Sequence, residues 1–268
     1  MSDEILLLDV RDGVAVLTLN EPERRNPFSP ALVEAFGRRI EELEQRCRTD
    51  VRVVVVTGAG KAFCAGASFD TMPSLAADSG LDGVLAIHAA IETIYSSFVR
   101  LDRLEVPTIA AVNGAAIGGG FGLALLCDIR IVAERAKLAA NFTRLGIHSG
   151  LAITELLPRA VGYEAAADLL FTGRVMRGSE AVEMGFARKA VDFDEVLPTA
   201  LDRAGPIASS APMAVRWVKR TLRASTGRWL APTMGAEAMS QALLMQSRDA
   251  GEGMRAMMSP DPPKFEGR

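Results

Sequence analysis

Histidine and cysteine are scarce in this chain of 268 residues, which has only His88 and His148, and Cys47, Cys64 and Cys127. Three cysteines without a CxxC pair do not make a disulfide framework, and they fit a reducing compartment; cytoplasmic localisation is the expectation. A Cys/His zinc site has almost no material, so no metal is expected. Acid/base chemistry at neutral pH must fall to one of two histidines or to a carboxylate. Charge of either sign is not in excess: 30 Lys+Arg face 33 Asp+Glu, net −3. Neither nucleic acid nor an anionic membrane surface is an expected partner. The opening MSDEILLLDV has no basic n-region and no Arg/Ser-rich presequence, so neither a signal nor a transit peptide is expected.

Several nucleotide and hydrolase motifs are also missing. Gly58-Ala59-Gly60-Lys61 lacks the earlier glycine of a phosphate loop, and Ala62 stands where Ser or Thr is needed. The GGGFG segment does not fit GxGxxG, and no GxSxG elbow occurs. Neither flavin nor nicotinamide is implied. The longest uncharged run, Ile109 to Cys127, contains Asn113 and five glycines. Asn-Gly is turn chemistry, so the run reads as buried strand, turn and buried helix rather than a membrane span.

What is present is an α/β pattern. Ile5–Val10 and Val14–Asn20 flank Asp12-Gly13 as a hairpin. Ser29-Pro30 opens a helix with Ser29 as N-cap, and Leu32, Phe36, Ile40, Leu43 and Cys47 form its apolar stripe. Val51–Thr57 reads as a strand covered on both faces, Thr108–Val112 as a second buried strand and Asp128–Val132 as a third strand. Residues 83–103 read as a helix. From about residue 150 the pattern is helical: Leu151–Val161, Tyr163–Phe171, Ser179–Met184, Pro212–Arg223 and Pro232–Arg248, broken by a short strand at Ala187–Val191. An α/β core with a helical C-terminal appendage follows.

Two loops share one design. Phe63-Cys64-Ala65-Gly66-Ala67-Ser68 and Ile117-Gly118-Gly119-Gly120-Phe121-Gly122 each place small residues between a buried strand and a helix start. Small residues let a ligand approach the backbone, and first-turn N–H groups are unpaired. Two such groups aimed at one point form an oxyanion hole; tight packing of the turns is the alternative use of the same glycines.

The segments VAVLTLNEPERRNPFS, VRVVVVTGAGKAFCAGA, VPTIAAVNGAAIGGGFGLALLCDIRIVAERAKL, LLFTGRVMRGSEAVEMGFA and the ending PPKFEG together resemble the crotonase superfamily, the enoyl-CoA hydratase/isomerase family. The resemblance covers nearly the whole chain. It implies a crotonase-like ββα spiral core (residues 1–205) and a helical C-terminal trimerisation region (206–268), assembled as a trimer or a dimer of trimers. It implies an acyl-CoA substrate, with coenzyme A as part of the substrate and no other cofactor. Ala67 and Gly119 match the family's oxyanion N–H groups. Ala65 matches the backbone that meets the adenine. Arg24, Arg25, Lys264 and Phe265 fall where CoA is gripped in relatives.

The same resemblance exposes departures. Hydration in this family uses two glutamates; here their positions hold Gly122 and Phe142, which cannot move a proton. Ordinary hydratase activity is not expected. Phe142 makes one wall apolar, and Gly122 is expected to open space opposite for a bulky or cyclic acyl group. His148, in a segment that supplies an acid/base in some relatives, is the candidate replacement, with a hydrogen-bonded structural histidine as the other reading. Glu155, two helical turns on, replaces an amide and is a candidate lining residue. Ser68 stands in place of a common Asp and can cap a following helix; Asp70 is a weaker candidate. Asp128, Cys64 and Cys127 read as structural. The reaction could be isomerisation, decarboxylation or thioester hydrolysis on the same scaffold, or the chain could bind acyl-CoA without catalysis.

Overall fold

The computed structural model describes residues 4–67, 80–227 and 230–267. Ser68 and Asp70 lie outside the described residues. The hairpin forms as its turn chemistry dictates: Asp12 and Gly13 both take positive φ (50° and 80°), and β1 (Leu6–Arg11) pairs antiparallel with β2 (Val14–Leu19). A two-residue strand β3 (Pro27–Phe28) precedes α1 (Pro30–Arg46), where the Ser29 side chain accepts the Leu32 N–H at 3.2 Å.

Three chain passages then repeat one plan. β4 (Val53–Gly58) leads to β5 (Ala62–Cys64), β6 (Gly66–Ala67) and α2 (Gly80–Arg103). β7 (Thr108–Val112) leads to β8 (Ala115–Ile117) and α3 (Gly119–Leu126). β9 (Ile129–Ala133) leads to β10 (Lys137–Ala139) and a 3-10 turn at Asn141–Leu145. The first strand of each passage joins a six-stranded sheet, parallel beyond the hairpin, whose order is β1-β2-β4-β7-β9 and then β12 (Lys189–Val191). The second joins a four-stranded sheet that runs from β11 (Met176–Arg177) through β10 and β8 to β5. This is the expected ββα spiral core. Every residue of β4 and β7 is buried, as fits parallel strands covered on both faces. Asn113 ties successive passages together: its amide donates to Gly58 O (2.8 Å) and Gly60 O (2.9 Å) and its oxygen accepts from Gly58 N.

The uncharged run at 109–127 is β7, a turn, β8 and α3, all within the core. Among the described residues only α2 is long and apolar enough to cross a membrane. It packs instead against α1 and α9 (Leu230–Leu244), and Ile87, Ile91, Tyr95 and Phe98 are buried.

The remaining chain is α4 (Ile153–Val161), α5 (Tyr163–Thr172), β11 (Met176–Arg177), α6 (Gly178–Glu183), β12 (Lys189–Val191), α7 (Val196–Ser209), α8 (Pro212–Ser225), α9 (Leu230–Leu244) and α10 (Arg248–Met257). Two helices depart from the sequence reading. α7 is unforeseen; it lies on β4, β7 and β9 and runs through the 205/206 position. The Pro232–Arg248 helix ends at Leu244. Ser247 then caps α10 by accepting the Ala250 N–H at 3.1 Å.

Candidate active site

The two glycine loops touch, backbone against backbone. Gly66 has φ of 80°, and a Cβ there would stand 2.4 Å from Ile117 O and 2.9 Å from Gly119 N. A Cβ on Gly119 would stand 2.5 Å from the Phe28 ring. Glycine at both positions is therefore what lets β6 and the start of α3 close on each other. The register of β3 with β6 sets Phe28 beside Ala67.

Ala67 and Gly119 open into one cavity of about 60 Å³. That is room for on the order of four water-sized groups. Its apolar lining includes Phe28, Ile87, Ile91, Ile94, Phe142, Ile147, Leu151 and Met245. Tyr95 and Gln241 supply the polar side chains among the described lining residues. Two larger cavities, each about 740 Å³, flank α8. Neither contains a residue singled out in the sequence as a site residue, and they border the exposed apolar face of α8, where Trp217 is 58% and Leu222 61% exposed.

Gly122 lies near this cavity, but it does not open it. A Cβ at Gly122 would stand 3.0 Å from Leu151 Cβ, 3.1 Å from Leu151 Cδ2 and 3.2 Å from Ile153 Cγ1. Leu151 and Ile153 fill the space that a longer side chain would need. The expected room for a bulky or cyclic acyl group is thus absent.

His148 and Glu155 are not among the residues that line the cavity. His148 Nδ1 donates to Ser149 O at 2.7 Å, since a carbonyl can only accept, and its own carbonyl accepts from Gln241 Nε2 at 2.6 Å. Glu155 pairs with Arg159 at 3.1 Å and accepts from Thr233 Oγ1 at 2.7 Å, joining α4 to α9. Ile147, next to His148, lines the cavity, whereas neither neighbour of Glu155 does.

None of the candidates for CoA contact, Arg24, Arg25, Ala65, Lys264 and Phe265, lines this cavity. Arg24 and Arg25 are exposed beside the first loop, and Arg25 O accepts the Ala65 N–H at 2.9 Å. Lys264 and Phe265 are exposed and lie outside the lining. Their segment is pinned to α10 by Lys264 N to Glu252 (2.8 Å), and by Glu266 N (2.7 Å) and Gly267 N (2.8 Å) to Asp249.

The residues that the sequence did not reveal form one buried polar network. Tyr95 Oη donates to Gln241 Oε1 at 2.9 Å. Burial, and then the nearby Glu237, push the phenol well above its ordinary pKa, so it stays protonated. Glu237, one turn before Gln241, is 1% exposed. It accepts from Ala152 N (2.7 Å), Thr154 N (3.0 Å) and Thr154 Oγ1. Burial raises its pKa, and those hydrogen bonds oppose the rise. A signal was available: Tyr95 falls one turn after Ile91 on the buried stripe of α2, and Glu237 and Gln241 interrupt an apolar stripe of α9 at i,i+4. The cysteines are buried free thiols; burial pushes Cys64 up to about 12. Asp128 accepts from Thr108 N (2.8 Å), Thr108 Oγ1 (2.9 Å) and Lys219 Nζ (2.8 Å), away from the cavity.

Residues 9–268 match the family profile described as enoyl-CoA hydratase/isomerase. The chain belongs to the enoyl-CoA hydratase/isomerase family. It is 36% identical over 219 residues to a short-chain-enoyl-CoA hydratase of Clostridium acetobutylicum, covering 81% of this chain and 80% of that one. Its fold is similar to the crystal structure of an enoyl-CoA hydratase/isomerase from Pseudoalteromonas atlantica, with a TM-score of 0.84, 28% identity, and 98% and 100% of the two chains covered. A monofunctional enoyl-CoA isomerase from Mycobacterium smegmatis superposes with a TM-score of 0.69 and 33% identity, covering 85% of this chain and 97% of that one. Members of the enoyl-CoA hydratase/isomerase family thus match along the whole fold under both reaction names, and choosing the reaction falls to the site.

Proposed function

We propose that this protein acts on an acyl-CoA thioester whose carbonyl oxygen is received by the peptide N–H groups of Ala67 and Gly119. The observation that carries the reading is that both residues line one cavity, brought there by glycine loops in direct backbone contact. Gly119 is the first residue of α3, so its N–H has no intrahelical partner. As charge moves onto the thioester oxygen, donors already aimed at it stabilise the enolate more than the ground state. CoA would lie along Ala65 with Arg24 and Arg25 at the mouth. Lys264 and Phe265 would reach it from a second copy of the chain. The exposed apolar face of α8 supports self-association, as a trimer or dimer of trimers. No cofactor beyond the CoA of the substrate is required.

Classical hydration is not the reaction in this reading. It needs carboxylates to split water, and Gly122 and Phe142 supply none. Among the described lining residues Tyr95 is the one titratable group, and burial holds it as a neutral phenol, a donor rather than a base. That favours, among the remaining chemistries, an enolate formed by loss of a leaving group over one formed by proton abstraction. In decarboxylation the bond between the α-carbon and a carboxylate on it breaks, its electron pair passes into the thioester as enolate, CO₂ leaves and the α-carbon takes up a proton. The test is a panel of CoA esters followed by mass spectrometry, with crotonyl-CoA absorbance as a control. The expected result is conversion of an acyl-CoA that carries a carboxylate on its α-carbon and no loss of crotonyl-CoA above background. Rapid crotonyl-CoA hydration overturns the reaction assignment, and failure to bind CoA by calorimetry overturns the substrate class.

A further inference from the structure

The wall of the cavity contains an unusual turn. Leu151 and Ala152 are consecutive non-glycine residues with φ of 58° and 57°. Side chains with a Cβ rarely adopt that conformation, and two in succession persist only where the surroundings impose it. Here the surroundings are identifiable. Glu237 accepts the N–H groups of Ala152 and Thr154 and the Thr154 hydroxyl. Gln241 Nε2 holds His148 O. The Tyr95 hydroxyl donates to Gln241 Oε1 at 2.9 Å and so holds that amide in place. Three side chains from α2 and α9 thus fix one turn between Gly150 and α4.

The turn places the Leu151 side chain. It is fully buried, lines the cavity and stands against the open side of Gly122. Without it, the cavity would extend over Gly122 toward α3.

We infer that Leu151 is the residue that limits acyl length, and that Glu237 is the positioning residue that keeps it in place. The inference rests on the acyl-CoA reading above and adds the substrate class: short acyl groups. An acyl chain that starts at Ala67 and Gly119 meets Leu151 where further carbons would have to go. A leucine held in a left-handed turn cannot swing away without breaking the hydrogen bonds of Glu237.

Titration calorimetry with free CoA and with acetyl-, butyryl-, hexanoyl- and octanoyl-CoA tests this. Wild-type protein should gain affinity from acetyl to butyryl and lose it for longer chains. Leu151→Gly relieves the backbone conformation and empties the space, so it should bind hexanoyl- and octanoyl-CoA more tightly than wild type does. The gain should be about fourfold for each methylene that finds a place, with free CoA unchanged. Leu151→Ala, which keeps a Cβ, should give a smaller gain in the same direction and stands in if the glycine variant does not fold. Glu237→Gln should broaden the length preference without altering the affinity for free CoA, and should do nothing further in the Leu151→Gly background. A length profile that is the same in wild type and both Leu151 variants, with CoA binding intact, overturns the inference alone. Wild-type protein that binds none of these compounds overturns the acyl-CoA reading and the inference with it.

Discussion

Gly66→Ala separates the backbone cost of a loop from its steric cost. Gly66 has φ of 80°, and its missing Cβ would fall 2.4 Å from Ile117 O and 2.9 Å from Gly119 N. Ordinary carbon contact begins near 3.5 Å, so the two loops must part by about 1 Å. Positive φ alone costs about 1–3 kcal/mol for alanine. Gly162 supplies the control. Its φ is 82°, and nothing lies within 4 Å of its Cβ position. Gly162→Ala should lose about 1–3 kcal/mol in urea unfolding and keep its turnover. Gly66→Ala should lose that and a further ~1–3 kcal/mol of overpacking. A shift of about 1 Å between the Ala67 and Gly119 N–H groups should also lower turnover of the accepted CoA ester about 100-fold. Equal stability and equal turnover in the two variants would refute the claim that backbone contact between the loops aligns the two donors.

Three other substitutions bear on the site and the core around it. His148→Ala should leave turnover of the accepted ester unchanged, because its ring bonds Ser149 O and does not line the cavity; a large loss measured by mass spectrometry would return His148 to an acid/base role. Gly122→Glu with Phe142→Glu should not install crotonyl-CoA hydration, because Leu151 and Ile153 occupy the space; it should lose about 1–3 kcal/mol in a denaturant titration, part of it regained by adding Leu151→Gly. Lys219→Met leaves Asp128 in a largely buried site with its pairing weakened, and should cost about 3–5 kcal/mol at pH 7. Burial pushes the Asp128 carboxyl up, but Lys219, Arg223 and the Thr108 hydrogen bond outweigh it and hold the carboxyl below its ordinary range. That stability is present above the unfolded carboxyl pKa of about 3.9 and fades as pH falls through the lower folded value. The gap between wild type and Lys219→Met should therefore narrow on acidification below about pH 4, as read from urea midpoints.

Features written in local chemistry were legible in the sequence. Asp12-Gly13 dictates a turn whatever lies around it, Ser29-Pro30 caps a helix on its own, and the β-branched run before Thr57 needs burial on both faces. α7 was not legible because Gly205-Pro206 are local breakers; they fall in its last turn and a half, and the apolar face that packs on the sheet outweighs them. The site divides along the same line. Its glycine loops can be recognised because close backbone approach requires glycine there. Its far wall cannot, because the conformation of Leu151 and Ala152 runs against their own preferences. It is imposed by Glu237, 85 residues away in sequence from Ala152, and by a tyrosine on another helix. Gly122 was misleading for the same reason. A glycine in the sequence leaves room only if no neighbour takes it, and the neighbour here is a leucine whose reach depends on a turn no local rule would assign to it. The glycine at 122 thus leaves no room by itself, because the turn at Leu151 sets a side chain against it.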